Sequence, residues 1–340
     1  MQIEIKKLPK SEIEITGELP AEEFMKFWQK AVKELASEVR IHGFRQGNVP
    51  ENILVERIGD RAVLDRAAEL SVRETYYNIA EEHKLDVIGH PHVSITKIAK
   101  SSPLGFKIQT AVLPEFCLPE NFKEIANKMN SQKEIIEVTQ KEIEETLEQL
   151  RKMRAQKPEE LPALDDEFAK IVGKFDTLDE LKNAVKENLK LEKENHLKEK
   201  KRLEIMDSIL KEIELSIPAT LIDGEKMRML SEFKSSLENM GLKWEDYLAH
   251  LKKTDLSAEA LAKAEEEILN GWSDEAEKRC KYGLLLKKLA DELKIEVSDA
   301  EIEEKIAVSR VEGDIAQERL KDYIYGIIKN EKILKFLETC

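Results

Sequence analysis

Residues 42–53 of the 340-residue chain read HGFRQGNVPENI and separate two stretches with helical periodicity. Gly43 and Gly47 permit positive φ angles and therefore a sharp reversal of the chain. Pro50 stands where the next helix begins, a position at which proline loses no needed hydrogen bond. The pattern predicts a rigid turn that displays three side chains at its tip, namely Phe44, Arg45 and Gln46.

The side chains at this tip allow two interpretations. An exposed Phe44 contributes nothing to a core and lowers solubility, which favours contact with a partner. Arg45 can pair bidentately with a carboxylate or a phosphate and can stack on flat surfaces. In the other interpretation, Phe44 folds back into the core and Arg45 is merely solvated. Residue spacing alone leaves both interpretations open.

The N-terminal third combines strand and helix patterns. QIEIKKL and EIEITGEL alternate apolar and charged residues at period two, as half-buried strands do. Helical periodicity follows Pro20, and it returns after the turn from residue 51 to about residue 85. HVSITKIA and LGFKIQTAVL then read as two more strands. We therefore expect an α+β domain over residues 1–114.

The rest of the chain, residues 115–340, is predicted to be a mainly α-helical domain. We expect a connector over residues 115–135 and a short linker over residues 155–164, which contain Pro158 and Pro162. Capping-box patterns at Thr139 and Thr177 predict helix starts, and the second helix is expected to reach about residue 215. Its polar middle cannot be buried on all sides, which predicts a projecting helix. Further helices are predicted after Pro218, from Ser257 to Leu293, and after Ser298.

Charge is distributed unevenly along the chain. The formal net charge is −14, which argues against broad nucleic-acid binding and against DNA as a partner. Residues 1–114 carry 16 basic and 17 acidic residues, whereas the remainder carries 39 and 52. The three cysteines are widely spaced, which is typical of a reducing compartment. Without an apolar run of membrane-spanning length, we expect a cytoplasmic protein with no membrane partner.

Catalytic and metal-binding patterns are poor. GxSxG, HExxH, P-loop, GxGxxG and CxxC motifs are all missing from the sequence. His90 and His92 lie two residues apart, but no third ligand of suitable spacing is near, so we interpret the stretch as a turn entering a strand. The many glutamate pairs are interpreted as solvated helix faces. We expect no catalytic residue, no metal and no cofactor.

The turn carries a resemblance to a known family. GFRQGNVP resembles the G-F-R-x-G-x-x-P signature of trigger factor, a bacterial chaperone that docks at the ribosomal exit tunnel. LPALDDEFAKIVG and IPATLIDGE also look like segments of the family's substrate-binding domain. The resemblance implies an α+β ribosome-binding domain followed by an elongated, mainly α-helical substrate-binding domain with projecting arms. It implies that the ribosome-binding residues are Gly43, Phe44, Arg45, Gln46, Gly47 and Pro50.

Two departures from the family pattern affect what it implies. Trigger factors commonly carry a basic residue where this chain has Gln46, which leaves one docking charge missing. The family also usually inserts a prolyl-isomerase domain of the FKBP type after the first helix of the helical domain. Only about ten residues, AQKPEELPAL, stand at that place here, too few for a sheet with an aromatic pocket. We therefore expect a trigger factor without this domain, and not an enzyme.

The expected function is that of an ATP-independent chaperone on the large ribosomal subunit, near the exit tunnel. Nascent and unfolded polypeptides are the expected clients, held by apolar surface of the helical domain, and the sequence leaves open whether the free protein is a monomer or a homodimer. An alternative is a free cytoplasmic holdase or assembly chaperone that does not dock, and a weaker one is a coiled-coil adaptor. Methionine side chains adapt to partners of many sequences. One methionine-containing segment is therefore a candidate client site, formed by Met227, Met229, Leu230 and Phe233. The same residues can equally belong to the core.

Overall fold

A computed structural model describes residues 1–132, 136–155, 161–252, 257–308 and 317–340. Within these ranges lie four strands and thirteen helices. Their contacts divide the chain into two compact units, which we describe separately. Unit 1 comprises Met1–Phe116 and Leu215–Gly283, and unit 2 comprises Cys117–Glu214 and Leu284–Cys340. Residues 215–283 thus group with the N-terminal residues, and the division into 1–114 and 115–340 stays a prediction.

Unit 1 begins with an antiparallel sheet of four strands. They are β1 (Gln2–Leu8), β2 (Glu12–Leu19), β3 (Val87–Lys97) and β4 (Leu104–Val112), in the spatial order β1-β2-β4-β3. Ile15 of β2 lies opposite Ile108 of β4, and both are fully buried. The period-two pattern predicted all four strands, although β3 begins five residues earlier than HVSITKIA indicated.

Helices α1 (Ala21–Glu38), α2 (Glu51–Ile58) and α3 (Asp60–Glu82) complete this part of unit 1. α1 buries an apolar face at i, i+3, i+4 spacing against α3 and the sheet. The predicted helix over residues 51–85 is wrong as one element, because Gly59 takes φ +87° between α2 and α3. The α+β class is confirmed. The largest fully buried side chains of this part of unit 1 are Trp28, Phe24, Phe106, Ile15, Leu54, Ile79, Leu104 and Ile108.

Unit 1 also contains helices from the later part of the chain. These are α8 (Ala219–Asn239), α9 (Trp244–Lys252), α10 (Ala258–Gly271) and the first half of α11 (Ser273–Glu292). Ser257 caps α10 as predicted, with its side-chain oxygen accepting from the Ala260 backbone N–H. One continuous helix from Ser257 to Leu293 is wrong, because α10 ends at Gly271 and Trp272 adopts a non-helical φ/ψ pair.

The regular elements among the described residues of unit 2 are all helices. They are α4 (Phe122–Asn130), α5 (Gln140–Arg154), α6 (Asp166–Val172), α7 (Leu178–Leu210), the second half of α11, α12 (Asp299–Val308) and α13 (Gln317–Thr339). The 33 residues of α7 extend about 50 Å, and the helix ends five residues before the predicted residue 215. The mainly α-helical class predicted for residues after 114 is confirmed.

The connector and the linker were predicted less well. Residues 115–135 contain α4, which the sequence pattern missed because it is short and buries only Phe122 and Ala126. Residues 136–139, between the connector and α5, form no regular element. Residues 133–135 of the connector and residues 156–160 of the linker lie outside the described residues.

Two helix starts in unit 2 share one electrostatic arrangement. Thr139 and Glu142 form a complete capping box at α5, and Lys193 of α7 lies 2.7 Å from a Glu142 carboxylate oxygen. The same box forms between Ser298 and Glu301 at α12. There Lys332 of α13 lies 2.7 Å from Glu301. Each lysine therefore joins the start of one helix to the side of another.

Hydrogen bonds to these two carboxylates lower their pKa values. The Lys193 ammonium is the main cause at Glu142 and the Lys332 ammonium at Glu301, with the capping N–H and hydroxyl groups adding to each. Both carboxyl pKa values fall from an ordinary 4.5 to about 2. The unfolded chain therefore takes up these protons at a higher pH than the folded chain does.

Acid is expected to weaken unit 2 through these groups. Because the folded-state pKa values are depressed, the stabilisation is present above pH 4.5 and is lost as the pH falls towards 2. Urea unfolding followed by circular dichroism at pH 5.5 and at about pH 3 measures the loss. The double variant Glu142→Gln/Glu301→Gln should show a smaller difference between the two pH values. An unchanged difference would contradict this assignment.

Candidate functional site

The turn between α1 and α2 is built by its two glycines. Gly43 and Gly47 take φ +91° and +87°, and an added Cβ at either would meet no atom within 4 Å. Backbone conformation, rather than space, therefore requires glycine at both places. The Gly47 N–H donates to the Ala36 carbonyl at 2.8 Å, which ties the turn to the end of α1.

The tip of this turn faces solvent. Phe44 keeps 39% of its surface exposed and belongs to no described core cluster. Arg45 is also exposed, and within the described ranges its guanidinium makes no hydrogen bond or ion pair. Val49, by contrast, is buried and anchors the turn from below. Of the two interpretations of the sequence, the structure favours the exposed Phe44.

An arginine and a histidine lie close to the tip. Arg40 and His42 are exposed, and in the part of the chain that the structure describes neither has an acidic partner. Residues 40–50 thus carry two guanidinium groups, those of Arg40 and Arg45, and no carboxylate side chain, in a chain of net charge −14. The sequence analysis did not single out Arg40 and His42, although both lie within five residues of Arg45.

Gln46 is exposed, and its side-chain amide is hydrogen-bonded within the turn. Its Nε2 donates to the Ser37 carbonyl at 2.6 Å, across the mouth of the turn. This hydrogen bond directs the amide back towards α1. Gln46, at the position where the family commonly has a charged residue, thus uses its amide for a contact within the turn.

The far side of the turn is fixed by a buried tryptophan. Pro50 precedes α2 with φ −60°, and Trp28 of α1 donates from Nε1 to the carboxylate of Glu51 at 2.7 Å. Lys100 lies 4.4 Å from the Trp28 ring centre and 3.5 Å from Glu51. Glu51, the first residue of α2, is therefore held to α1. Together with the bond from Gly47 to Ala36, this contact fixes the turn on both sides.

The candidate client-binding residues on α8 differ in accessibility. Met227 is 56% exposed, whereas Met229 and Leu230 are buried. Phe233 is half-buried between three aromatic rings. The interpretation of Met229 and Leu230 as client-contacting residues is corrected, because α8 directs both side chains into the core. Client contact by Met227 stays a prediction.

Phe233 lies at the centre of an aromatic cluster in unit 1. Its ring centre is 5.3 Å from Tyr247 and 5.9 Å from both Trp244 and Trp272. Glu265 accepts from Trp244 Nε1 at 2.7 Å and from Lys234 at 2.8 Å. Burial raises the pKa of the Glu265 carboxyl, but these hydrogen bonds outweigh it and lower the pKa overall.

Exposed apolar side chains occur in the same helical part of unit 1. Met240 and Leu242 flank Gly241 after α8, and Leu251 lies on α9. The sequence analysis missed them because they fall outside a periodic pattern. A sequence signal does exist for Met240 and Leu242. The two apolar residues stand on either side of Gly241, and a glycine at this place marks the end of a helix. These residues, with Met227, offer accessible apolar surface that Met229 and Leu230 do not.

Other classes of site find no support in the described ranges. Among those residues, no group of three or more His, Cys, Asp or Glu side chains could hold a metal ion. None of the helices in these ranges combines the length and the apolar content that crossing a bilayer requires. The three cysteines form no disulfide with one another.

Comparison with protein families assigns both ends of the chain. The family model for bacterial trigger factor protein matches residues 1–150, and the model for its C-terminus matches residues 177–337. The chain belongs to the trigger factor family. The signature turn, at residues 43–50, lies inside the first matched region, so the resemblance found in the sequence is confirmed.

Individual relatives are distant but extend over nearly the whole chain. Trigger factor of Halothermothrix orenii is 25% identical and covers 95% of this chain and 93% of its own length. Trigger factor of Geobacillus thermodenitrificans is also 25% identical and covers 100% and 97%. Its alignment extends over 426 positions against 340 residues here, so at least 86 positions have no counterpart in this chain.

A solved structure supports the fold. It is described as "Promiscuous Substrate Recognition in Folding and Assembly Activities of the Trigger Factor Chaperone" and is 17% identical to this chain. It covers 100% of this chain and 99% of its own, with a TM-score of 0.55. The trigger factor family is a chaperone family, and a chaperone role follows for this chain.

Proposed function

We propose that this trigger factor works without ATP and docks on the large ribosomal subunit near the exit tunnel. The carrying observation is the turn at residues 43–50, which exposes Phe44 and Arg45 between two glycines of positive φ. An aromatic ring and a guanidinium are the side chains most often found as binding hot spots. The guanidinium also suits the phosphates of ribosomal RNA.

Nascent and unfolded polypeptides are the proposed clients. Weak, reversible contacts suit this task, and apolar surface contributes roughly 25 cal/mol per Å² covered before ordering costs are subtracted. Exposed Met227, Met240, Leu242 and Leu251 supply such surface in unit 1. We further propose that the protein acts in the cytoplasm and forms a homodimer when it is not docked.

Co-sedimentation with purified subunits tests the docking proposal. The full chain should sediment with large subunits and not with small ones, and adding ATP should change neither result. Aggregation of a chemically denatured enzyme, followed by light scattering, tests holding of clients in the same preparation. Equal sedimentation with both subunits would contradict specific docking.

A free holdase that does not dock is the second candidate function. The observation that favours it is Gln46 itself, a neutral side chain whose amide is hydrogen-bonded to the Ser37 carbonyl within the turn. Suppression of aggregation without co-sedimentation would support this second function and contradict the first.

Restoring a charge at this position is expected to strengthen docking. Gln46→Lys should raise ribosome affinity a few-fold at low salt, and the gain should shrink as salt screens phosphate contacts. Binding of fluorescently labelled protein to large subunits across a salt series measures it. Gln46→Met is the matched neutral control. A gain that does not depend on salt would count against a phosphate contact.

We also propose that this chain lacks prolyl-isomerase activity. The two matched family regions leave only residues 151–176 between them, and at least 86 positions of a relative have no counterpart here. A test protein whose refolding is limited by proline isomerisation should refold in the presence of this chain with the uncatalysed time constant of tens of seconds. A concentration-dependent acceleration by this chain would contradict the proposal.

A further inference from the structure

Unit 2 contains one sequence pattern twice. Residues 136–147 read IEVTQKEIEETL, and residues 295–306 read IEVSDAEIEEKI. Seven of the twelve positions are identical, and Thr139 at the N-cap is matched by Ser298. The first ten positions also agree, one by one, in being exposed, half-buried or buried. The second segment therefore begins α12 in the same way as the first begins α5.

The helix that packs on each segment repeats as well. Residues 181–193 of α7 read LKNAVKENLKLEK, and residues 320–332 of α13 read LKDYIYGIIKNEK. Both begin with Leu-Lys and end with Glu-Lys, and both have an apolar residue at the first, fifth and ninth positions. Residues four apart lie on one face of a helix. We name α5 with α7 helix pair A, and α12 with α13 helix pair B.

The two helix pairs also have matching apolar cores. The core of pair B has three buried and four partly buried members, and all of them except Ile327 have a counterpart at the same position in the core of pair A. Ile302 and Ile324 of pair B, for example, correspond to Ile143 and Val185 of pair A. The described members of the two cores have no residue in common. Each pair therefore packs around apolar side chains of its own.

A lysine joins the two helices of pair A. Lys193 of α7 donates to the Glu137 carbonyl at 2.6 Å and to the Glu142 carboxylate at 2.8 Å. Glu142 is at the same time the acidic member of the capping box at the start of α5. The ammonium thus holds both the chain that enters α5 and the first turn of the helix. We call this set of contacts a lysine clasp.

Pair B has the same lysine clasp. Lys332 of α13 donates to the Glu296 carbonyl at 2.8 Å and to the Glu301 carboxylate at 2.9 Å. Lys193 and Lys332 are the last residues of the two matching thirteen-residue stretches, so they occupy the same place in the pattern. A capping box alone is a common helix start. It supplies neither a lysine from a second helix nor a matching core, so these shared features indicate one repeated unit.

We infer that unit 2 is built on two copies of one helix pair, and that each lysine clasp locks its own pair independently of the other. Loss of a clasp lets the first helix of that pair separate from the second. Such local opening exposes the amide groups of that helix while the rest of the protein stays folded. A separate hydrogen bond, from Arg202 of α7 to Glu338 of α13, still connects the two pairs. Unit 2 therefore has two apolar cores that can be uncovered one at a time.

Hydrogen exchange of the native full chain, followed by mass spectrometry, tests the two locks. Lys193→Met should speed amide exchange in α5 by about threefold to tenfold, as expected for a partly exposed contact with charge-assisted hydrogen bonds. The same variant should leave exchange in α12 unchanged. Lys332→Met should do the reverse. Faster exchange in both α5 and α12 from either variant would overturn the independence of the two clasps.

Two lysines at matching positions serve as controls. Lys190 and Lys329 stand three residues before the two clasp lysines. Each makes its contact within its own helix, since Lys190 lies 3.8 Å from Glu194 and Lys329 lies 5.7 Å from the Tyr325 ring centre. Lys190→Met and Lys329→Met should therefore leave exchange in α5 and α12 unchanged. If they speed exchange as much as the clasp variants do, the clasps are not locks and the inference falls.

Replacing one segment by the other tests whether the two helix pairs are copies. In the full chain, residues 136–147 are replaced by IEVSDAEIEEKI, the sequence of residues 295–306. The resulting chain should keep its helical content by circular dichroism. Lys193→Met should then speed exchange in α5 as much as it does in the unmodified chain, because the transferred segment retains the capping box and its glutamate. Loss of helical content, or no response to Lys193→Met, would overturn the equivalence of the two pairs.

Discussion

The double variant Phe44→Ala/Arg45→Ala is expected to lose ribosome binding by at least about 100-fold, with its helical content unchanged. Truncation of a hot-spot residue commonly costs about 2 kcal/mol or more, and every 1.4 kcal/mol is tenfold in affinity. The fold should tolerate the change because both side chains are exposed and lie outside the core. Titration of labelled large subunits measures the affinity, and circular dichroism measures the helix content.

A control for this variant removes the same chemical groups elsewhere. Tyr323→Ala/Arg319→Ala deletes one exposed aromatic ring and one exposed guanidinium from α13. This control should bind large subunits like the unmodified chain. If both double variants bind equally well, the turn is not the docking site.

Trp28→Ala is expected to reduce the free energy of unfolding by about 3–5 kcal/mol, the range found for large aromatic truncations in cores. Trp28 is fully buried, and its indole N–H holds Glu51 at the start of α2. Loss of the ring leaves a cavity under the turn and releases α2. Urea unfolding of the full chain, followed by circular dichroism, measures the change.

A conservative substitution separates packing from hydrogen bonding at this residue. Trp28→Phe keeps an aromatic ring but removes the bond to Glu51, and it should cost no more than about 2 kcal/mol. Ribosome binding should weaken more in Trp28→Ala than in Trp28→Phe, because only the first releases the ring contact beneath the turn. If Trp28→Ala is as stable as Trp28→Phe, the tryptophan does not anchor this part of unit 1.

Periodicity predicted the types of the main elements because the physics behind them is local. The alternating QIEIKKL and EIEITGEL became β1 and β2, and the apolar spacing around Trp28 became the buried face of α1. The capping pattern at Thr139 became a complete capping box. Single residues that interrupt a pattern were missed, as at Gly59 and Trp272, since amphipathic spacing continues across both.

The turn at residues 43–50 was predicted well because glycine and proline restrict the backbone directly. The exposure of Phe44 was left open by the sequence, since it depends on which surface α1 and α2 bury. The sequence also left open whether Met229 and Leu230 are buried. The packing of α8 decides which side of this methionine-containing helix faces inward. The order of the strands in the sheet was also not predicted, because residue spacing does not reveal which strands are neighbours.

Photo-crosslinking from the tip of the turn is the most direct test of docking. A benzoylphenylalanine placed at Phe44, irradiated in the presence of whole ribosomes, should form a product with a component of the large subunit. The same group at the exposed Tyr323 should not. Absence of a large-subunit product from position 44, or equal products from both positions, would contradict docking through this turn.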